Sequence, residues 1–263
     1  MKKLISFDIK ADFGFLKKPD TNEPIYITYN MLHKPALLGI LGAIIGLKGF
    51  KILLETKGKK SRSYIPEYYE KLNELQIGIQ PLDSENGNYS KMIIRYNNSV
   101  GYASKEQGGN LLIDEQTLIE PSYRCFLLLD LEQELHEKLY LHLKNKEAEY
   151  LPYLGKNDFS VWWKNFKDDY EIKQFEFNQN FKISSLIKKT EPLANGIAEA
   201  MGRSAREQTK IQFTYFERLP IGYRIDLMQY KFEDFAYTNA ILEKEYKLDN
   251  LYQINQNECV QLF

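Results

Sequence analysis

Residues 5–15, Ile-Ser-Phe-Asp-Ile-Lys-Ala-Asp-Phe-Gly-Phe, put apolar side chains on the odd positions and Ser6, Asp8, Lys10 and Asp12 on even ones. A period of two belongs to a β-strand, whose successive side chains point to opposite faces. Residues 35–47, PALLGILGAIIGL, change the period. A proline suited to the first helical turn leads a run that is apolar all round, which predicts a short, fully buried helix. Gly39, Gly42 and Gly46 lower its intrinsic helicity and are read as marking the close approach of another backbone.

Working outward, a basic stretch at 57–62 is followed by strand-like runs at Lys91–Tyr96, Asn110–Asp114 and Arg124–Leu129. Between the first two lies Asn97–Gly109, polar and glycine-rich, read as an extended hairpin. Asp130 is the expected cap of a helix with Gln133 at its third position and a stripe of Leu131, Leu135, Leu139 and Leu143. Strand, helix, strands, helix is the ferredoxin-like order once a last strand follows, and Ile172–Phe177 is the candidate. Further strands are expected at Gln212–Glu217, Tyr223–Leu227 and Gln229–Phe232, broken by Leu219-Pro220 and Gly222. The fold class is therefore α+β: a core over residues 1–150 that includes a projecting hairpin at 95–109, and a smaller, β-rich region over 151–263 packed on it. No internal repeat, low-complexity tract or Pro- or Ser-rich linker separates the two.

Net charge is only −1, but its distribution is uneven. Residues 1–62 carry 12 Lys and Arg against 5 Asp and Glu, a balance of +7 that leaves the remainder at −8. A basic front end suits phosphate contact, and an acidic remainder suits basic protein partners. No secretory signal layout is seen, and the 35–47 run is shorter than the roughly 20 residues that cross a bilayer, so a cytoplasmic location without membrane contact is expected. Cys125 and Cys259 share no spacing typical of zinc sites or disulfide frameworks and read as packed thiols.

Catalytic constellations are thin. His136 and His142 are six apart on one predicted helix, about 240° around its axis, and form no metal pair; both read as surface histidines. His33 precedes the buried helix, where capping or exposure is favoured over acid–base work. There is no Walker loop, no G-x-S-x-G elbow and no metal-ligand cluster, so no cofactor, metal or catalytic residue is expected. Rings beside cations are present instead: Tyr26 and Tyr29 ahead of Lys34, Arg95-Tyr96, and Tyr102 ahead of Lys105. Rings stack unpaired bases while cations hold phosphates, the chemistry of single-stranded RNA binding.

Three blocks carry a family resemblance. FDIKADFGFLKKPDTNE running through YITYNMLHKPALLGILGAIIGL is the first; IIRYNNSVGYASKEQGGNLLIDEQTLIEPSYRCFLLLDL is the second; PYLGKNDFS with FERLPIGY is the third. Together they resemble the Cas-five family, the RAMP subunit that binds the 5′ handle of the guide RNA (crRNA) in type I CRISPR Cascade complexes, most closely its type I-B branch. The resemblance implies an RRM-like, ferredoxin-like core whose thumb hairpin lies beside the first guide segment. It implies crRNA, the Cascade backbone subunit and the large subunit as partners, with target DNA met indirectly through the complex. The family's basic strand and loop map onto Lys10, Lys17 and Lys18, and its thumb onto Arg95–Gly109. With the ring–cation pairs, the RNA-binding candidates are Lys10, Lys17, Lys18, Tyr29, Lys34, Arg95, Tyr96, Asn97, Tyr102 and Lys105. Type I-C members cleave precursor RNA with a Tyr, Lys and His grouping that is not matched here, so a non-catalytic antiviral-defence subunit is expected. The alternative is a metal-independent endoribonuclease that uses His33.

Overall fold

The computed structural model describes residues 1–20, 24–58, 64–98, 111–198, 212–256 and 258–263. The opening strand forms as β1, Lys2–Lys10, with a two-residue β2, Phe13–Gly14, after it. The main sheet adds β3 (Gln76–Leu82), β6 (Ser122–Asp130) and β7 (Trp162–Lys167) to β1 in the order β3-β6-β1-β7, every neighbour antiparallel. The expected final strand is thus displaced. Residues 162–167 take the outer place beside β1, while only Lys173–Gln174 (β8) of Ile172–Phe177 is strand, and it belongs to another sheet.

Helix α1, Lys34–Ile45, links β1 to the later strands and presses Leu37, Leu38, Leu41 and Ile44 into the same cluster as Ile5, Phe7 and Ile9. Its Gly42 meets a side chain and not a backbone: a Cβ there would lie 2.4 Å from the Cβ of Tyr68 on α3 (Glu67–Leu72). Gly46 ends the helix in the left-handed region at φ 83°. Between them α2, Phe50–Lys57, buries no residue. Helix α4, Glu134–Asn145, takes Gln133 as its N-cap and not Asp130. The Asp130 carboxylate instead accepts from Glu132 N, and Asp130 N donates to His136 Nδ1. Leu139 and Leu143 of the predicted stripe are fully buried.

A second sheet, β2-β5-β4, pairs β4 (Lys91–Asn98) with β5 (Leu111–Ile119) from Lys91↔Leu118 to Asn98↔Leu111. Residues 99–109 of the predicted hairpin, with Tyr102 and Lys105, and Asn110 of the strand predicted after it lie outside the described residues. Two sheets follow in the C-terminal part. One orders β10 (Ile187–Lys188), β12 (Gln229–Thr238) and β11 (Thr214–Arg224); the other joins β8, β9 (Phe181–Ile183), β13 (Ile241–Leu242), β14 (Leu251–Gln253) and β15 (Glu258–Gln261). The expected break at Leu219-Pro220 and Gly222 is a bulge inside the continuous β11, and 225–227 form a turn. A Cβ at Gly222 would lie 2.6 Å from the Tyr69 hydroxyl, which accepts the N–H of Tyr223, so a side chain there would push that hydroxyl aside.

β1 is buried on both faces. Leu4 packs with Phe126, Tyr252, Val260 and Leu262, and Asp8 is held by Arg124 at 2.7 and 3.0 Å and by Asn165 at 2.8 Å. Of the polar side chains at even positions, Ser6 and Asp8 are therefore buried, while Lys10 is half-buried and Asp12 exposed. Cys125 and Cys259 are free, buried thiols. Among the described residues no single helix is long and apolar enough to cross a membrane.

Candidate nucleic-acid interface

The segment between β2 and α1 forms the near side of the interface. Lys18 N donates to Ile27 O, which sets Lys17 and Lys18 antiparallel to Ile27 and Thr28, and Tyr26 bridges to β5 through Tyr26 N to Asp114 O and Gln116 N to Tyr26 O, both 2.9 Å. The basic loop and the hairpin arm, nearly seventy residues apart in sequence, are thereby one connected surface. Lys17 is exposed with its Nζ 3.8 Å from the centroid of Tyr26. Lys18 Nζ lies 5.0 Å from the Tyr29 ring and 3.2 Å from Glu217.

The other candidates divide into free and committed groups. Lys10 sits half-buried at the end of β1 and forms no ion pair among the described residues. Tyr29 is 2% exposed, and burial pushes its phenol up. Lys34 is half-buried, donates to the backbone oxygen of Phe263 at 3.2 Å, and has its ammonium pulled down to about 8 by burial. Arg95 grips Asp114 through two bonds of 2.6 and 2.7 Å, holding that carboxyl below its usual range. Tyr96 donates to Glu115 at 2.7 Å, and Lys156 completes a three-member network with them. Asn97 is exposed on β4.

Loop 17–20 also forms one wall of a feature the sequence reading did not single out. A cleft of about 900 Å³ opens between that wall, α2 and the β11–β12 hairpin, lined by Phe50, Tyr64, Arg218, Arg224, Tyr230, Lys231 and Phe232 among others. A second hollow of about 490 Å³ shares Asp20, Arg218 and Phe232 with it and reaches Lys18 and Tyr29. Tyr223 and Tyr230 stack at 5.0 Å with their planes 24° apart, Phe50 meets Tyr223 edge-on at 6.0 Å, and the Arg218 guanidinium lies 5.3 Å from the Phe232 centroid. Arg218, Arg224 and Lys231 are exposed and form no ion pair among the described residues. The available signal was the repetition of a ring followed by a cation, Tyr223-Arg224 and Tyr230-Lys231, on either side of one turn.

His33 sits beneath this cleft. Its Nδ1 accepts the N–H of Ala36 at 3.3 Å as the N-cap of α1, and its ring lies 5.2 Å from Tyr29 and 5.9 Å from Tyr230. Burial lowers its pKa to about 3, so the imidazole is neutral. His136 and His142 are half-buried and hydrogen-bonded, His142 through Nδ1 to Lys138 O at 2.9 Å. Among the described residues no three His, Cys, Asp or Glu side chains are grouped to hold a metal ion.

No protein-family model and no curated protein matches the sequence. Several solved structures are similar to it at low scores. A chain of a CRISPR RNA-guided surveillance complex is 10% identical with a TM-score of 0.46, over 90% of this chain and 91% of that one. A CRISPR protein from Archaeoglobus fulgidus is 14% identical with a TM-score of 0.45, over 99% and 98%. A chain of the Type III-B Cmr-beta assembly bound to cognate target RNA and AMPPnP is 10% identical with a TM-score of 0.45, over 93% and 86%. TM-scores this low assign no activity to this chain.

Proposed function

We propose that this chain is a non-catalytic, guide-RNA-binding subunit of a CRISPR effector complex of the type I-B Cascade kind, with a ferredoxin-like core. Its task is to hold the 5′ handle of the crRNA and to dock on the backbone and large subunits. The observation that carries the reading is the joining of the basic loop to the hairpin arm. Through Tyr26 and β5, the Lys17–Tyr26 pair and the base of the arm form one surface that offers rings and cations together, as an unpaired RNA strand requires. Of the three sequence blocks that resemble the Cas-five family, the first contributes this loop and the second this arm. The main-sheet order also supports the reading: counted along the chain, its strands lie 2-3-1-4, with the helices α1 to α3 between the first and second and α4 between the third and fourth. A neutral, buried His33 engaged as a helix cap favours the non-catalytic side.

The test is assembly on guide RNA followed by ribonuclease challenge. The complex should protect the 5′ handle, and Lys10→Ala/Lys17→Ala/Lys18→Ala should weaken RNA binding and flatten its salt dependence by about 0.7 in slope per lost phosphate contact. An unchanged slope refutes the role given to these lysines. Metal-independent cleavage of precursor RNA in EDTA, abolished by His33→Ala, would promote the endoribonuclease in its place.

A further inference from the structure

We infer that the cleft beneath the β11–β12 hairpin is a binding site for an unpaired RNA segment, separate from the loop-and-arm surface and continuous with it through Asp20 and Arg218. This rests on the RNA-binding reading above and adds to it a second set of contacts supplied by the C-terminal half of the chain.

The argument begins with what the cleft offers. Its volume, about 900 Å³, lies within the range of small-ligand sites, and it runs into the neighbouring hollow of about 490 Å³. The pair is therefore a trough for a strand and not a pocket for one compact molecule. Rings form much of its lining, and those of Phe50 and Tyr64 are each 45% exposed, a large apolar surface left open to water. Three cations share the trough without taking a carboxylate among the described residues. Glu233, the acid nearest them along β12, approaches Lys188 at 3.9 Å. Rings at stacking reach of a base beside unpaired cations are complementary to a single-stranded, polyanionic chain. A docking protein helix would find the apolar surface but would leave Arg224 and Lys231 to be desolvated without partners. Duplex would fit poorly, because its bases are already stacked on one another and present only their edges.

Continuity gives the site a direction. Lys18 and Tyr29 line the smaller hollow, and the loop that carries Lys17 and Lys18 forms the wall between the arm surface and the cleft. A strand held at Lys17–Tyr26 can pass along Lys18 and Arg218 into the ring-lined part, crossing the smaller hollow in which Asp20 and Glu217 are the acidic side chains.

The test uses the full chain and a short, fluorescein-labelled single-stranded RNA, followed by anisotropy at low salt. Phe50→Ala/Tyr64→Ala removes two half-exposed rings, so folding should be kept, and affinity should fall by between about fivefold and a hundredfold. Arg224→Ala/Lys231→Ala should weaken binding and reduce the salt slope. RNA carrying 4-thiouridine should photocrosslink to cleft residues, Tyr230 foremost, as mapped by mass spectrometry. If both double variants bind RNA as the wild type does while the Lys10, Lys17 and Lys18 triple variant is weakened, the cleft assignment is overturned and the RNA-binding reading stands. If the wild-type chain binds no RNA, alone or in the assembled complex, both fall. Normal RNA binding combined with loss of a protein partner in the cleft variants overturns the assignment in favour of a protein occupant.

Discussion

Replacing Glu217 by glutamine should destabilise the protein out of proportion to the single charge it removes. The Glu217 side chain is 6% exposed, and its two oxygens accept the N–H groups of Asn30 at 3.1 Å and Met31 at 2.9 Å, with Lys18 Nζ at 3.2 Å. It thus ties the backbone entering α1 to β11. A bond from a backbone N–H to a charged acceptor contributes about 1.5–3 kcal/mol, whereas an ion pair to a lysine that keeps 30% of its side chain in water, on a carboxylate already held by two N–H groups, contributes about 0.2–1 kcal/mol. Glutamine keeps one acceptor and turns an NH2 toward the other N–H, leaving one backbone donor without a partner and one new donor facing it. The expected loss is about 2–4 kcal/mol for Glu217→Gln and somewhat more for Glu217→Ala. Lys18→Met should cost less than about 1 kcal/mol. Equilibrium unfolding in urea, monitored by tryptophan fluorescence with the slope held constant, measures all three. The reasoning fails if Glu217→Gln lies within about 0.5 kcal/mol of wild type, or if Lys18→Met costs as much, which would put the energy in the ion pair and not in the backbone anchor.

His33 is buried neutral with its pKa lowered from 6.5 to about 3, so the unfolded chain binds the extra proton between those values and stability falls as pH drops through that window. His33→Asn keeps a capping oxygen but no titrating ring; between pH 6.5 and about 5 it should escape about 2 kcal/mol of the wild type's loss, and equal acid slopes in the two proteins would contradict this. Gly42→Ala should lower the thermal midpoint: a methyl 2.4 Å from Tyr68 Cβ forces α1 and α3 apart at a cost of about 1–3 kcal/mol, against about 1 kcal/mol of helix propensity gained. A midpoint raised by that substitution would show that α3 yields freely.

The sequence declared β1 because its apolar residues alternate strictly, and α1 because a proline opens an unbroken apolar run too long for a typical strand. It concealed β3 because Gln76–Leu82 contains two apparent breakers, Gly78 and Pro81. Both are accommodated by position. β3 is the edge of its sheet, so Pro81 need not supply an outward N–H, and Gly78 leaves room for the C-terminal strand, whose Gln261 O would lie 3.0 Å from an added Cβ. β7 was passed over for Ile172–Phe177 because it is a mostly exposed edge strand, irregular where it pairs with β1, with Asn165 at φ 54°. The same dependence on pairing governs the interface. A count of lysines and arginines gives the basic front end, but cross-strand register does much to decide which cations remain available. Arg95 lies opposite Asp114, and Arg124 opposite Asp8, and both are consumed. Lys10 lies opposite Ser122, Arg224 opposite Gln229 and Lys231 opposite Gly222, and all three stay free of ion pairs among the described residues. Arg218 faces Asp234 yet leans over Phe232, drawn by a ring that the same hairpin brings within reach. Composition therefore overstates the loop-and-arm surface, where Arg95 is already paired, and understates the cleft, whose cations come from the net-acidic remainder of the chain; two of them, Arg224 and Lys231, are left free by neutral neighbours across the strand.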